Sequence, residues 1–266
     1  MTSEAPSSVS LHAGRSIRHQ FDLLRELVSR DFKVRYKRSA LGLGWSLLNP
    51  LFQLLIFSTV FTYILPLQIP NYPSFLFTGI LVWSWFQGSL LSAATCIVEN
   101  GGLLRQPRFP AAMLPLATIA TSWLHFMLAL PILIAGALIS GNPAGGLWTL
   151  PFIMAVQFLF TLALSYIVAS VHVHFRDTQH ILSIVLMLGF YLVPIFYRSD
   201  TVPDAVLPWY HLNPLVTILD AYHVAVLQGT SPDWLGLAII AAGSCALLAA
   251  SATLFVRASY KFVEEL

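Results

Sequence analysis

The chain has 266 residues, of which 57% are apolar and 10% charged. A typical soluble domain carries about 25% charged residues, so this chain owns too little polar surface to cover a water-soluble globule, and it is too apolar for disorder. The net charge of +2 gives no footing for a nucleic-acid partner, and Cys96 and Cys245, both inside apolar runs, exclude a disulfide-built domain and a cysteine-rich metal site.

In chain order, residues 1–18 read as a polar cytoplasmic tail, with neither the apolar core nor the cleavage context of a signal peptide. Residues 19–38 predict an amphipathic helix. Phe21, Leu24, Val28 and Phe32 recur at spacings of 3, 4 and 4, while Asp22, Arg25, Glu26 and Arg30 take the other side. Glu26 and Arg30 form a favourable i,i+4 pair. A basic amphipathic helix beside a span lies in the headgroup plane. It serves there as a positive-inside anchor, or as an anchor that also contacts a cytoplasmic partner.

Residues 39–262 hold the membrane domain. A spanning helix needs about 20 largely apolar residues, and six uncharged stretches qualify: 47–66, 74–98, 111–139, 147–171, 181–197 and 234–256. Pro50, Pro115, Pro131, Pro151 and Pro194 lie inside them, which a bundle tolerates where neighbouring groups satisfy the freed carbonyls. The runs are continuous rather than alternating, against a β-barrel. The stretch 205–228 is long enough to span, but Asp220, His211, His223, Pro208 and Pro214 interrupt it. It reads as a re-entrant helical hairpin, about 201–230, on the outer side. The expected fold is therefore an all-α membrane protein: six transmembrane helices, an N-terminal interfacial helix, the outer hairpin, and a cytoplasmic tail at 263–266.

The positive-inside rule sets the orientation. Arg15, Arg18, Arg25, Arg30, Lys33, Arg35, Lys37 and Arg38 precede the first span. Six spans place Arg105, Arg108, Arg176, Arg257 and Lys261 on that same inner side and only Arg198 outside, with Asp200, Asp204, Asp220 and Asp233. Both termini are expected in the cytoplasm. The inner loop 99–110 carries Glu99, Leu103, Arg105 and Arg108 between Gly101-Gly102 and two prolines. It reads as a solvated turn or as a docking knob for a soluble subunit. The loop 172–180 sets His172, His174 and His180 around Arg176-Asp177, but no cysteine or second carboxylate completes a metal shell. No metal site is predicted; an Arg176–Asp177 pair at a helix end is.

The spans contain no carboxylate, lysine or arginine, and His125 stands alone in the third. A chemiosmotic carrier needs a coupling charge in the membrane, so proton or sodium coupling is not expected. Lys33, Lys37 and Lys261 precede Val34, Arg38 and Phe262, so no phosphate loop is present. No H-E-x-x-H, G-x-S-x-G or intramembrane acid pair marks an enzyme. Energy for active transport would come from a second chain docked on the inner face; this chain itself is expected to hold no cofactor.

The stretch 35–50, RYKRSALGLGWSLLNP, resembles the opening signature of the O-antigen, teichoic-acid and capsule export permeases of ABC transporters: a basic amphipathic helix, a Leu-Gly loop, then a Trp and a Pro opening the first span. Leu41, Gly42, Trp45 and Pro50 stand in those places. Phe175-Arg176-Asp177, Pro194-Ile195-Phe196-Tyr197 and Leu212-Asn213-Pro214-Leu215 match later signatures in order, over roughly residues 20–262. One departure is His223, near where members often carry an arginine.

The resemblance implies a homodimer in the bacterial plasma (inner) membrane, two copies of a separate ATP-binding subunit, and a channel between the two permease copies. The cargo it implies is a lipid-linked polysaccharide moved from the inner to the outer face. Three groups of residues then become candidates. Gly42 and Gly44 give the loop freedom, and Arg35, Lys37 and Arg38 attract phosphate at headgroup depth; with Leu41 and Trp45 they form an entrance for the lipid head, or a plain hinge and anchor. Aromatics make up 13% of the chain and can stack on sugar rings. The channel candidates are Phe52, Phe57, Phe61, Tyr63, Trp83, Trp85, Phe86, Tyr191, Phe196 and Tyr197, against core packing or an interfacial belt. Phe21, Leu24, Val28, Glu99, Leu103, Arg105 and Arg108 are the candidates for docking the ATPase. The alternative functions are a passive channel or a membrane scaffold binding a cytoplasmic partner, and more remotely an intramembrane transferase.

Overall fold

The computed structural model describes residues 8–37, 44–64, 69–106 and 109–265. Among the described residues all regular structure is helical. Five helices are long and apolar enough to cross a membrane: Leu47–Ile64, Tyr72–Glu99, Met113–Ile139, Ala144–His174 and Trp234–Phe262. Within and around them run α1 (Ser8–Tyr36), α2 (Gly44–Thr59, continued by a π turn Val60–Ile64), α3 (Tyr72–Glu99), α4 (Gly101–Leu104) and α5 (Met113–Ile139). They are followed by α6 (Leu150–His174), α7 (Thr178–Leu192), α8 (Leu207–Tyr210), α9 (Pro214–His223, continued by a π turn Val224–Gln228) and α10 (Trp234–Glu265).

Two expected boundaries move. The amphipathic helix begins at Ser8, so residues 8–18 are helical rather than part of a tail. The fifth expected span, 181–197, is cut short: α7 has 15 residues and stops at Leu192. At 1.5 Å per residue it is about 22 Å long, short of the roughly 30 Å of a hydrocarbon core. Pro194 is the cause. A proline pushes the preceding residue out of helical geometry, and Val193 is extended, with φ −115° and ψ 157°. Pro50 and Pro131, by contrast, are carried inside α2 and α5, and Pro151 sits in the first turn of α6, where its missing N–H costs nothing. The stretch expected to form the hairpin holds two helices, α8 and α9, separated at Asn213-Pro214. The Asn213 side chain caps α9 by accepting from the Leu215 amide at 3.1 Å.

α3 is the central post. It packs against α2, α5, α6, α7 and α9, and it is buried around most of its circumference. α6 pairs with α10 on the far side. A second apolar cluster gathers at one end of the bundle, where Leu27 of α1 packs with Cys96, Ile97, Leu114, Phe255 and Phe262. α1 lies along α5, turning its stripe of leucines inward. The bundle thus has an end that carries α1 and α4, and an opposite end that carries α8, α9 and the start of α3.

Candidate functional site

At the α1 end, Arg30 ties two elements together. Its Nη2 donates to Asn100 Oδ1 at 2.8 Å and to Asp31 Oδ1 at 2.8 Å. Asn100 in turn donates from Nδ2 to the Cys96 carbonyl at 2.8 Å, and its own carbonyl accepts from the Leu103 amide at 2.9 Å, opening α4. One guanidinium therefore joins the surface helix to the α3–α4 corner. Beside it is a polar cavity of about 590 Å³ between α1, α3 and α5, reaching Asp31, Glu99 and Thr121.

Of the docking candidates, Phe21, Glu99 and Arg105 are exposed at this end. Leu24, Val28 and Leu103 are half-buried against the chain's own second cluster. Arg108 lies outside the described residues. The histidine loop forms no cluster: His174 meets Glu265 at 3.2 Å, His172 is buried, and no three metal-ligating side chains converge among the described residues. The expected Arg176–Asp177 pair is not among the ion pairs of the described residues; Asp177 instead stands at the N-cap position of α7.

Of the entrance candidates, Arg35 is in the last turn of α1, Lys37 is exposed, and Gly44 opens α2 beside an exposed Trp45. Arg38, Leu41 and Gly42 lie outside the described residues.

The aromatic candidates divide by burial. Trp83, Trp85 and Phe86 are in the core; Trp85 stacks on Phe126 at 5.0 Å and Phe86 on Phe160 at 6.1 Å. Phe57 and Phe61 meet the buried Phe196 at 4.9 and 5.7 Å. Tyr197 is half-buried, with its hydroxyl donating to the Tyr191 carbonyl at 3.4 Å. Only Phe52, Tyr63 and Tyr191 present a ring outward, at 54%, 82% and 59% exposure. They sit on α2, its π turn and α7, alongside exposed Leu55, Ile56, Ile184 and Leu188.

The opposite end holds a smaller cavity, of about 390 Å³. Ile69 and Pro70 lead into it, α3 contributes Phe75, and the turn after α5 contributes Asn142. The 198–200 turn adds Arg198, Ser199 and Asp200; α9 adds Asp220 and His223. Ser199 donates its hydroxyl to Asp220, and Arg198 pairs with Asp200 at 2.7 Å. The His223 ring stacks on Phe75 with centroids 4.0 Å apart, and its Nε2 lies 3.1 Å from the Phe75 carbonyl. α9 is not one of the five long spans. Burial raises the Asp220 carboxyl above the ordinary carboxylate range, and it pushes His223 down to about 4, so that ring is neutral at physiological pH. In the sequence, Asp220 and His223 register only as interruptions of an apolar run. Their i,i+3 spacing, which puts both on one face of a helix, was the signal for a shared site.

Taken together, the described residues are those of an all-α, multi-pass membrane protein, with long apolar spans whose charged side chains, Glu99, Arg257 and Lys261, stand near the span ends. The chain belongs to the ABC-2 type transporter family, whose profile matches residues 22–227. It is 36% identical over 247 residues to the O-antigen export system permease protein RfbA of Myxococcus xanthus, covering 92% of this chain and 95% of that one. It is 31% identical over 258 residues to the protein of the same name from Klebsiella pneumoniae, covering 96% and 99%. The polysialic acid transport protein KpsM of Escherichia coli is 23% identical over 222 residues, covering 81% and 85%.

Proposed function

We propose that this chain is the permease subunit of an ATP-driven exporter that carries a lipid-linked polysaccharide of the O-antigen type across the bacterial inner membrane, from the cytoplasmic to the outer face. The observation that carries this reading is the end-to-end likeness to export permeases, at 36% identity over 92% of the chain. The chemistry agrees: no carboxylate, lysine or arginine lies in the middle of a long span, since Glu99, Arg257 and Lys261 stand near the ends of theirs, so the drive arrives from outside the chain.

On this reading the chain works as a homodimer with two copies of an ATP-binding subunit, which bind the nucleotide and magnesium. The α1 end is cytoplasmic and receives those subunits. Arg30 supports that role, because it makes α1 and the α3–α4 corner respond as one piece. The second permease copy covers the apolar side of α2 and α7, and sugars pass over the outward rings of Phe52, Tyr63 and Tyr191. The loop from Arg35 to Trp45 admits the phosphate of the lipid carrier.

The test is deletion of the gene together with complementation. Surface polysaccharide is lost on deletion and restored by the chain only when its ATP-binding partner is intact; surface polysaccharide at the parental level after deletion refutes the exporter. Arg105→Glu with Arg108→Glu should insert normally and lower export, and full export by that pair removes the docking role. A cysteine at position 204 should label from outside and one at 105 or 176 should not.

A further inference from the structure

The cavity opposite α1 is assembled from four stretches of chain, and its polar groups do not use one another up. Asn142 is 9% exposed; its Oδ1 accepts from Asn71 at 2.6 Å, while its Nδ2 has no partner among the described residues. His223 is 5% exposed. The Phe75 carbonyl can only accept, so Nε2 carries the ring hydrogen, and Nδ1 keeps a lone pair without a partner. Asp220 takes the Ser199 hydrogen on one oxygen and keeps acceptor capacity on the other. An unpaired buried donor or acceptor is costly, and a site shaped to hydrogen-bond a ligand carries that cost until the ligand arrives.

The charges narrow the class of ligand. Two carboxylates, Asp200 and Asp220, face a single guanidinium that is already paired, which disfavours an anion such as phosphate. That guanidinium in the wall, and the absence of any metal-ligating trio among the described residues, disfavours a cation. A neutral polyol fits instead, since each hydroxyl both donates and accepts. Ile69, Phe75 and Leu227 supply apolar cover for its C–H faces. The volume of about 390 Å³ lies within the roughly 300–1,000 Å³ of small-ligand pockets.

We propose that this cavity binds a neutral sugar residue of the exported glycan, with Asp220 and His223 Nδ1 accepting from its hydroxyls and the Asn142 amide donating to a ring or hydroxyl oxygen. The proposal rests on the exporter reading and adds to it a holding point at the exit end.

The test uses the complex of this chain with its ATP-binding partner in lipid nanodiscs. The probe is the oligosaccharide released by mild acid from the surface polysaccharide of the producing strain, and binding is read by saturation-transfer NMR. Two near-isosteric variants are compared with the parent. Asp220→Asn keeps the acceptor for Ser199 but loses the carboxylate; Asn142→Asp keeps the acceptor for Asn71 but loses the free donor. Each should weaken binding about tenfold or more, and neither inorganic phosphate nor calcium chloride should displace the probe. Undiminished binding by both variants, displacement by either salt, or no binding to the parent complex overturns the pocket. Surface polysaccharide in the deletion strain judges the exporter reading separately, so the pocket can fail while the exporter stands.

Discussion

α3 and α7 are both apolar helices without a single charged residue between Tyr72 and Val98 or between Ile181 and Leu192, yet they meet opposite fates. α3 buries residues on every side, from Leu76 and Ile80 through Trp85 and Phe86 to Ile97. α7 buries only Leu186 and turns Ile181, Ile184, Val185, Met187 and Leu188 outward. In water such an exposed face would be a defect; in lipid it is not, because acyl chains are as apolar as leucine, and helices there associate through packing rather than through the hydrophobic effect. Apolarity therefore puts both helices in the membrane, and shape decides which one becomes the core.

That contrast can be broken at the places where the two regions touch. The largest effect should come from Gly79→Val in α3. A Cβ there would lie 3.0 Å from the Ile195 Cα, and a backbone atom in the turn after α7 cannot retreat as a side-chain tip could. Overpacking of this kind costs about 3 kcal/mol, read as unfolding free energy in mixed micelles; a wild-type value would mean that the turn is not seated on α3. Phe86→Ala removes a ring 4% exposed that stacks on Phe160. We expect a loss on the order of 2 kcal/mol, below the soluble-protein range, because in lipid the packing term remains while most of the transfer term does not.

Smaller effects lie on α7 itself. A Cβ at Gly189 would meet the rim of the Trp83 indole at 3.0 Å, a side-chain contact that can shift, so Gly189→Ala should cost about 1 kcal/mol by the same unfolding measurement. Leu188 is 54% exposed. Leu188→Ala should change unfolding by less than about 0.5 kcal/mol, as surface substitutions do. On the homodimer reading it should still weaken self-association, measured by dilution in detergent. A large stability loss at Leu188 with an unchanged dimer would reverse the contrast between the helices.

The amphipathic stripe of Phe21, Leu24, Val28 and Phe32 was legible as a helix face, because period and polarity are local properties. What that face touches was not: Leu24 and Val28 pack on the chain's own cluster, and Phe21 is left outside it. Pro194 was visible as a breaker, but whether a helix runs through it depended on neighbours, as the contrast with Pro131 inside α5 makes plain. Among the aromatics, Trp85 and Tyr191 are equivalent in composition, and only the fold separates a core ring from an exposed one.

Composition and run length alone determined that this is an all-helical membrane protein, because the bilayer admits few other solutions for a chain so poor in charge. The order of short motifs along the chain resembles that of the export permeases, a property of sequence alone. The tertiary structure decided what no local pattern encodes: the Arg30 link from α1 to Asn100, and the cavity where Asn142, Ser199, Asp220 and His223 meet. Those contacts join residues 70 and 21 positions apart in the chain, from Arg30 to Asn100 and from Ser199 to Asp220. Nothing short of helix packing brings such groups within hydrogen-bond reach.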